Sequence, residues 1–254
     1  MLKPRLIPVL LLKNGRMVKP VQFGAGGERD VGWPVTTAKI YNSQDADELI
    51  FIDISSGAAK ESFLEDTLRK VSEHCFIPLT AGGGVLSIED FGKLLRAGAD
   101  KVSINTAAFL NPNLITEAAR IFGSQCVVLS IDARKVGENK YVVCTDGGKT
   151  TSDRDVISWA KEGVEKGAGE ILLTSIDREG TMKGYDIDLV RLVADAVSAP
   201  VIANGGAGHR AHFVEAIREG HASAAAASSV FHFSDSNIPQ VKLFIKNAGV
   251  PVRY

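Results

Sequence analysis

The stretch Glu48-Leu49-Ile50-Phe51-Ile52-Asp53-Ile54-Ser55 decides the fold. A continuous apolar run that ends in a carboxylate and a hydroxyl reads as a strand buried on both faces, with an aspartate at its C-terminal end. The same design returns at Glu170-Ile171-Leu172-Leu173-Thr174-Ser175-Ile176-Asp177. A recurrence of this kind predicts a chain made of two related halves, about residues 1–123 and 124–254, in which Asp177 matches Asp53. Every later feature should then come in pairs, and a broken pair marks specialised chemistry.

Working outward from these runs, Leu6 to Leu12 is a short buried strand closed by the turn Lys13-Asn14-Gly15-Arg16. The stretch from Gly24 to Asp30 is rich in glycine and charge and reads as a mobile loop near a site. Helices are predicted over 34–45 and 61–74, the second with Phe63, Leu64, Leu68 and Val71 as its apolar stripe. Phe76 to Ala81 leads into Gly82-Gly83-Gly84, Ser87 opens a helix, Asp100 to Ile104 is the next strand, and Pro112 starts another helix. The second half repeats the order with strands at 127–132, at Glu170, at 200–204 and at 222–227, and helices over 155–166, 186–197 and 212–219. A small hairpin arm is predicted at Tyr141 to Thr145. Eight strands, each followed by a helix, with no antiparallel signal between them, predict one closed (β/α)8 TIM barrel over the whole chain. The spacing agrees, since Gly82 to Asn105 and Gly205 to Ser228 are both 23 positions apart.

Composition narrows the function. The chain has 254 residues and a net charge of −1, which gives no electrostatic basis for binding nucleic acid or an anionic membrane. Cys75, Cys126 and Cys144 are odd in number and show no metal-ligand spacing, so free thiols in a reducing compartment are expected, with no metal and no cofactor. The apolar run Val9 to Leu12 is too short for a secretory or membrane segment, and a cytoplasmic protein is expected.

In such a barrel the chemistry lies at the C-terminal ends of the strands. The turns at Gly82-Gly83-Gly84 and Gly205-Gly206-Ala207-Gly208 present backbone N–H groups that suit phosphate. Asn105, Thr106, Ser228 and Ser229 add side-chain donors on the neighbouring strand ends. Tight turns need glycine in any case, but the repeated pairing favours a long substrate with a phosphate at each end. Between the cradles stand Asp53, Asp132 and Asp177. Asp132 is the best candidate for proton transfer, while the other two read equally well as structural partners for loop N–H groups.

Lys13-Asn14-Gly15-Arg16…Lys19, Phe51-Ile52-Asp53-Ile54, Gly82-Gly83-Gly84, Asp100-Lys101-Val102-Ser103-Ile104-Asn105-Thr106, Gly123-Ser124-Gln125, Ile131-Asp132-Ala133, Thr174 to Thr181 and Gly205-Gly206-Ala207-Gly208 together resemble the HisF family over nearly the whole chain. HisF is the cyclase subunit of imidazole glycerol phosphate synthase. The resemblance implies a heterodimer with a HisH-type glutaminase, whose ammonia crosses the barrel to a bisphosphate-bearing ribulosyl substrate at the far mouth. It implies an ammonia gate of Arg5, Glu48, Lys101 and Glu170 with Asp100 beside it, and a first loop that closes over substrate with Lys19. The substrate and phosphate set so implied is Lys19, Asp53, Gly83, Gly84, Asn105, Thr106, Asp177, Gly180, Gly205, Gly206, Ser228 and Ser229.

The family pairs two catalytic aspartates, at the ends of the first and fifth strands. Asp132 is the second, and the first falls at Leu11, within Val9-Leu10-Leu11-Leu12-Lys13. Leucine transfers no proton, and loss of a general acid–base group typically slows a reaction about 10²–10⁴-fold. The reading put first on this ground is a HisF-like paralogue that passes ammonia to a sugar, forming an acetamidino group in surface polysaccharide synthesis. Asn204 before the second glycine turn, where many relatives carry serine, gives it slight further support. The alternatives are the histidine-pathway cyclase with another group in place of the lost acid, and a non-catalytic barrel that binds a phosphosugar or regulates a glutaminase.

Overall fold

A computed structural model describes residues 3–24, 27–55 and 60–253. Eight parallel strands close into a ring: β1 (Arg5–Lys13), β2 (Leu49–Asp53), β3 (Leu79–Gly82), β4 (Lys101–Ile104), β5 (Val127–Gly137), β6 (Glu170–Ser175), β7 (Val201–Asn204) and β8 (Ala224–Ala227). The ring shuts where Arg5, Leu6, Ile7 and Pro8 of β1 pair with Ala224 to Ala227 of β8. The (β/α)8 expectation is met. Its helical layer is α1 (Pro34–Ser43), α2 (Lys60–Ser72), α3 (Ile88–Arg96), α4 (Thr106–Leu110), α5 (Asn113–Phe122), α6 (Val156–Glu165), α7 (Ile187–Ala194), α8 (Arg210–Arg218), α9 (Ser229–Phe233) and α10 (Ile238–Asn247). Among the described residues, no helix is long and apolar enough to cross a membrane.

Strand alternation sorts the side chains into two cores. Leu6, Leu10, Leu49, Phe51, Ile171 and Leu173 point outward and pack with the helices. Ile7, Val9, Ile50, Val128, Leu172, Ile202, Ala224 and Ala226 fill the barrel, with Leu11 and Ile52 above them. Helix starts follow local chemistry. Ser87 caps α3 in a reciprocal box with Asp90, and Asp155, Asp186 and Asn237 cap α6, α7 and α10 through side-chain acceptors.

Several expectations shift. α1 and α2 end at Ser43 and Ser72, α7 at Ala194, and α8 begins at Arg210 with His209 as its cap. Leu64, Leu68 and Val71 are buried, but Phe63 is 41% exposed and lies over the Gly15 turn instead of joining the stripe. The glycine-rich loop is in part an ordered arm. Arg16–Pro20 pairs antiparallel with β1 and with Glu28–Gly32; Ala25 and Gly26 of that stretch lie outside the described residues. The second arm is longer than expected, because β5 runs on to Gly137 and pairs antiparallel with Lys140–Thr145, which pairs with Thr150–Asp155. Antiparallel arms therefore decorate the parallel ring at both β1 and β5.

Candidate functional site

Alternation carries one line of inward side chains from the floor of the barrel to its mouth. At the floor, Arg5, Glu48, Lys101 and Glu170 close into a ring of alternating charge. Arg5 Nη1 donates to Glu48 Oε1 at 2.6 Å and Arg5 Nη2 to Glu170 Oε1; Lys101 Nζ donates to Glu48 Oε2 at 3.1 Å and to Glu170 Oε2 at 2.9 Å. Two positive and two negative groups cancel, so buried ions are tolerated only while all four are present. Burial opposes the Arg5 charge, and its bonds to Glu170 and Glu48 more than offset this, raising its pKa. Lys101 is the most exposed member, which places it at the outer edge. Asp100 is exposed beside it and accepts from the Leu79 amide at 2.8 Å, closing the start of β3.

At the mouth the strand registers decide which residues correspond. Leu11 pairs with Ile52 as Asp132 pairs with Thr174. Leu11 and Ile52 thus form an apolar wall facing the polar wall of Asp132, Thr174 and Asn204. The Asn204 amide donates to Thr174 Oγ1 at 3.0 Å. Asp132 is buried and takes one hydrogen bond from Asn105 Nδ2 at 2.7 Å. Burial pushes its carboxyl up to about 7, against the Asn105 bond and helped by the nearby Glu179 charge.

The pairing of Asp53 with Asp177 is corrected. Asp53 shares its side of β2 with Leu49 and Phe51, so it points away from the barrel interior, and its Oδ1 accepts from the Ser55 amide at 2.8 Å. Its counterpart is Ser175. A side chain on Gly205 would lie 2.9 Å from the Ser175 carbonyl oxygen, just as one on Gly83 would overlap the Asp53 carbonyl. Asp53 Oδ2 and Ser175 Oγ are also both buried with no hydrogen-bond partner among the described residues. Asp177 lies two residues further on, is exposed, and accepts from the Lys135 amide at 2.9 Å.

The glycine turns are demanded by close backbone packing. Gly83, Gly84, Gly205 and Gly206 all have positive φ, and a side chain on Gly206 would overlap the Gly184 carbonyl. Of the donors beside the turns, Asn105 turns to Asp132, and Thr106 Oγ1 accepts from the Asp146 amide at 3.0 Å. Ser228 is half-buried and Ser229 buried at the start of α9.

The first arm covers the mouth. Its Lys19, buried, pairs with the buried Glu179 of the β6–α7 loop. The Gln22 amide donates to the Glu179 carbonyl and the Gln22 side chain to the Asp177 carbonyl, each at 3.0 Å. A side chain on Gly180 would fall 2.9 Å from Val21 Cα, and one on Gly148 would fall 2.5 Å from Phe23, so both loops fit closely under the arm. The His232 ring is pushed down to about 4, by burial first and then by Lys19. Glu179 was missed in the sequence. Its motif, Asp177-Arg178-Glu179-Gly180, offers two acidic residues, and only the packed loop shows which one turns inward.

Comparison with known proteins agrees with this geometry. A family model described as histidine biosynthesis protein matches residues 5–237. Subunit HisF of imidazole glycerol phosphate synthase from Bacillus pumilus is 50% identical over 254 residues, covering all of both chains. The subunits of the same name from Anoxybacillus flavithermus and Geobacillus kaustophilus are 49% and 50% identical over 255 residues, again covering all of both chains. A match that runs from end to end at half identity, on a closed barrel with this floor and mouth, shows that the chain belongs to the HisF family.

Proposed function

We propose that this chain is the ammonia-accepting cyclase subunit of an imidazole glycerol phosphate synthase, a lyase-type synthase in histidine biosynthesis, working in the cytoplasm. The observation that carries the reading is the single interior line from a closed charge ring at the floor to a buried carboxylate at the mouth. Lys101 and Asn105 share one side of the β4 line, and Glu170 and Thr174 share one side of β6. One face thus guards entry and the other does chemistry, which suits a small neutral reactant that arrives from below.

In this reading a HisH-type glutaminase docks at the floor beside Asp100, and Arg5, Glu48, Lys101 and Glu170 admit the ammonia it makes. Asp132 transfers protons. Its carboxyl, lifted to about 7 by burial, exchanges a proton readily near neutral pH. Gly83, Gly84, Asn105 and Thr106 hold one substrate phosphate, and Gly180, Gly205, Gly206, Ser228 and Ser229 hold the other. Lys19 brings the first arm over the substrate. Asp53 and Asp177 fix the surrounding loops through the Ser55 and Lys135 amides.

The names carried by the relatives support this reading over the surface-polysaccharide paralogue that Leu11, with slight support from Asn204, favours. The half-repeat about residue 123 belongs to the same proposal, as the origin of the matched registers. One observation still favours the sugar acceptor: Leu11 stands where Asp132 has its register counterpart. Mixing the chain with a HisH-type glutaminase tests the assembly. A one-to-one complex that turns over the ribulosyl substrate with glutamine is expected. Failure to bind or activate any such glutaminase defeats it.

A further inference from the structure

The interior opposite Asp132 offers no second proton-transfer group from β1, because Leu11 and Ile52 make that wall apolar. A carboxylate does reach the mouth from another direction. Glu179 lies on the β6–α7 turn, where its amide donates to the Ser175 carbonyl at 3.0 Å, and its buried side chain sits beside Gly205, just past the end of β7. Its Oε2 would lie 3.4 Å from a side chain on Gly205, at the lip of the second glycine turn. Its Oε1 accepts from Lys19 Nζ, an ion pair that anchors it beneath the arm. It is near enough to Asp132 for the two charges to repel.

We propose that Glu179 is the second proton-transfer carboxylate of this site, replacing from the β6–α7 loop the group that Leu11 cannot supply from β1. The proposal rests on the cyclase reading above. A ribulosyl group carries a ketone. As ammonia attacks its carbon, the new C–N bond forms and the carbonyl π pair moves to oxygen. The nitrogen gives one proton to the ionised Glu179 and the oxygen takes one from the protonated Asp132. The carbinolamine contains every atom of both reactants, and the two carboxyl groups have exchanged protonation states. Loss of a second carboxylate from the strand wall is compatible with turnover because only proximity to the reacting carbon matters, not the element that provides it.

The structural alternative is that Glu179 merely anchors the arm through Lys19. The two roles separate kinetically. The purified chain is assayed with saturating ammonium and the histidine-pathway ribulosyl substrate, together with Glu179→Gln, Glu179→Asp and the double variant Glu179→Gln/Leu11→Asp. Glutaminase binding serves as the readout of an intact fold. Expected are a fall in kcat of about 10²–10⁴-fold for Glu179→Gln with KM within about threefold. Glu179→Asp should lose less than Glu179→Gln, and Leu11→Asp should recover at least about tenfold of the double variant's kcat. An active wild type with Glu179→Gln unchanged, or altered in KM alone, overturns the proposal and leaves the cyclase reading standing. A wild type that binds the glutaminase but cannot turn over the ribulosyl substrate overturns the cyclase reading, and the proposal falls with it.

Discussion

Replacing Asp132 with asparagine should stabilise the folded protein while removing its activity. Asp132 is buried and its carboxyl stands at about 7, compared with an ordinary 3.8. Between those values the native state holds a proton that the unfolded chain releases, so stability falls as pH rises from about 4 to about 7 and stays low above that. The difference in proton affinity between the folded and unfolded carboxyl corresponds to about 4 kcal/mol at pH 8. That is an upper bound, because a buried site relaxes and admits water around a charge. Asparagine keeps the shape and can still accept from the Asn105 amide. It removes both the desolvated charge and its repulsion with Glu179. The expected gain at pH 8 is about 1–3 kcal/mol, or a Tm higher by about 3–9 °C for a domain of this size. By pH 5 the advantage should shrink to roughly a third, since the unfolded aspartate is then less favoured by ionisation. Thermal unfolding of both proteins at pH 5 and pH 8 reads this directly. An Asp132→Asn protein less stable than the parent at pH 8, or equally favoured at both pH values, would refute the reasoning.

Three further substitutions have outcomes set by the geometry. Gly83→Ala drives a methyl group into the Asp53 backbone at positive φ and should cost more than about 3 kcal/mol or prevent folding. Gly137→Ala meets nothing closer than 3.6 Å and should change stability by less than about 1 kcal/mol, as urea unfolding would show. Lys101→Ala leaves Glu48 and Glu170 with only Arg5 between them. With one side chain at the outer edge, the loss should be about 1–3 kcal/mol. Turnover with glutamine should drop relative to turnover with added ammonium, and an unchanged ratio would argue against a gate.

Much of the fold was legible because its strands are buried on both faces and several end at or just before a glycine, asparagine or aspartate, as at Asp53, Gly82, Asn105 and Asn204. The charge ring was marked by the family resemblance, while position alone, at or just before the start of an apolar run, gave Arg5, Glu48, Lys101 and Glu170 only as caps on the barrel floor. The match of Asp53 to Asp177 slipped by two residues. Both follow an isoleucine, and past the end of β6 the strand period no longer decides where a side chain points. Glu179 was hidden for a related reason. Its inward turn depends on a long-range fit between Gly180 and Val21 and on the pairing with Lys19. The first arm was hidden as well, because Glu28–Gly32 is charged and exposed and reads as loop until it is seen paired with Arg16–Pro20.

The central claim is that a HisF barrel with leucine at position 11 still joins ammonia to the ribulosyl substrate. The most direct measurement supplies the pure chain with 15N-labelled ammonium and follows the label into product, with the histidine-pathway ribulosyl substrate and an acetamido nucleotide sugar offered in parallel. The account predicts label in the imidazole product at a steady catalytic rate and none in the sugar. Label in an acetamidino sugar, with the ribulosyl substrate untouched, would contradict it.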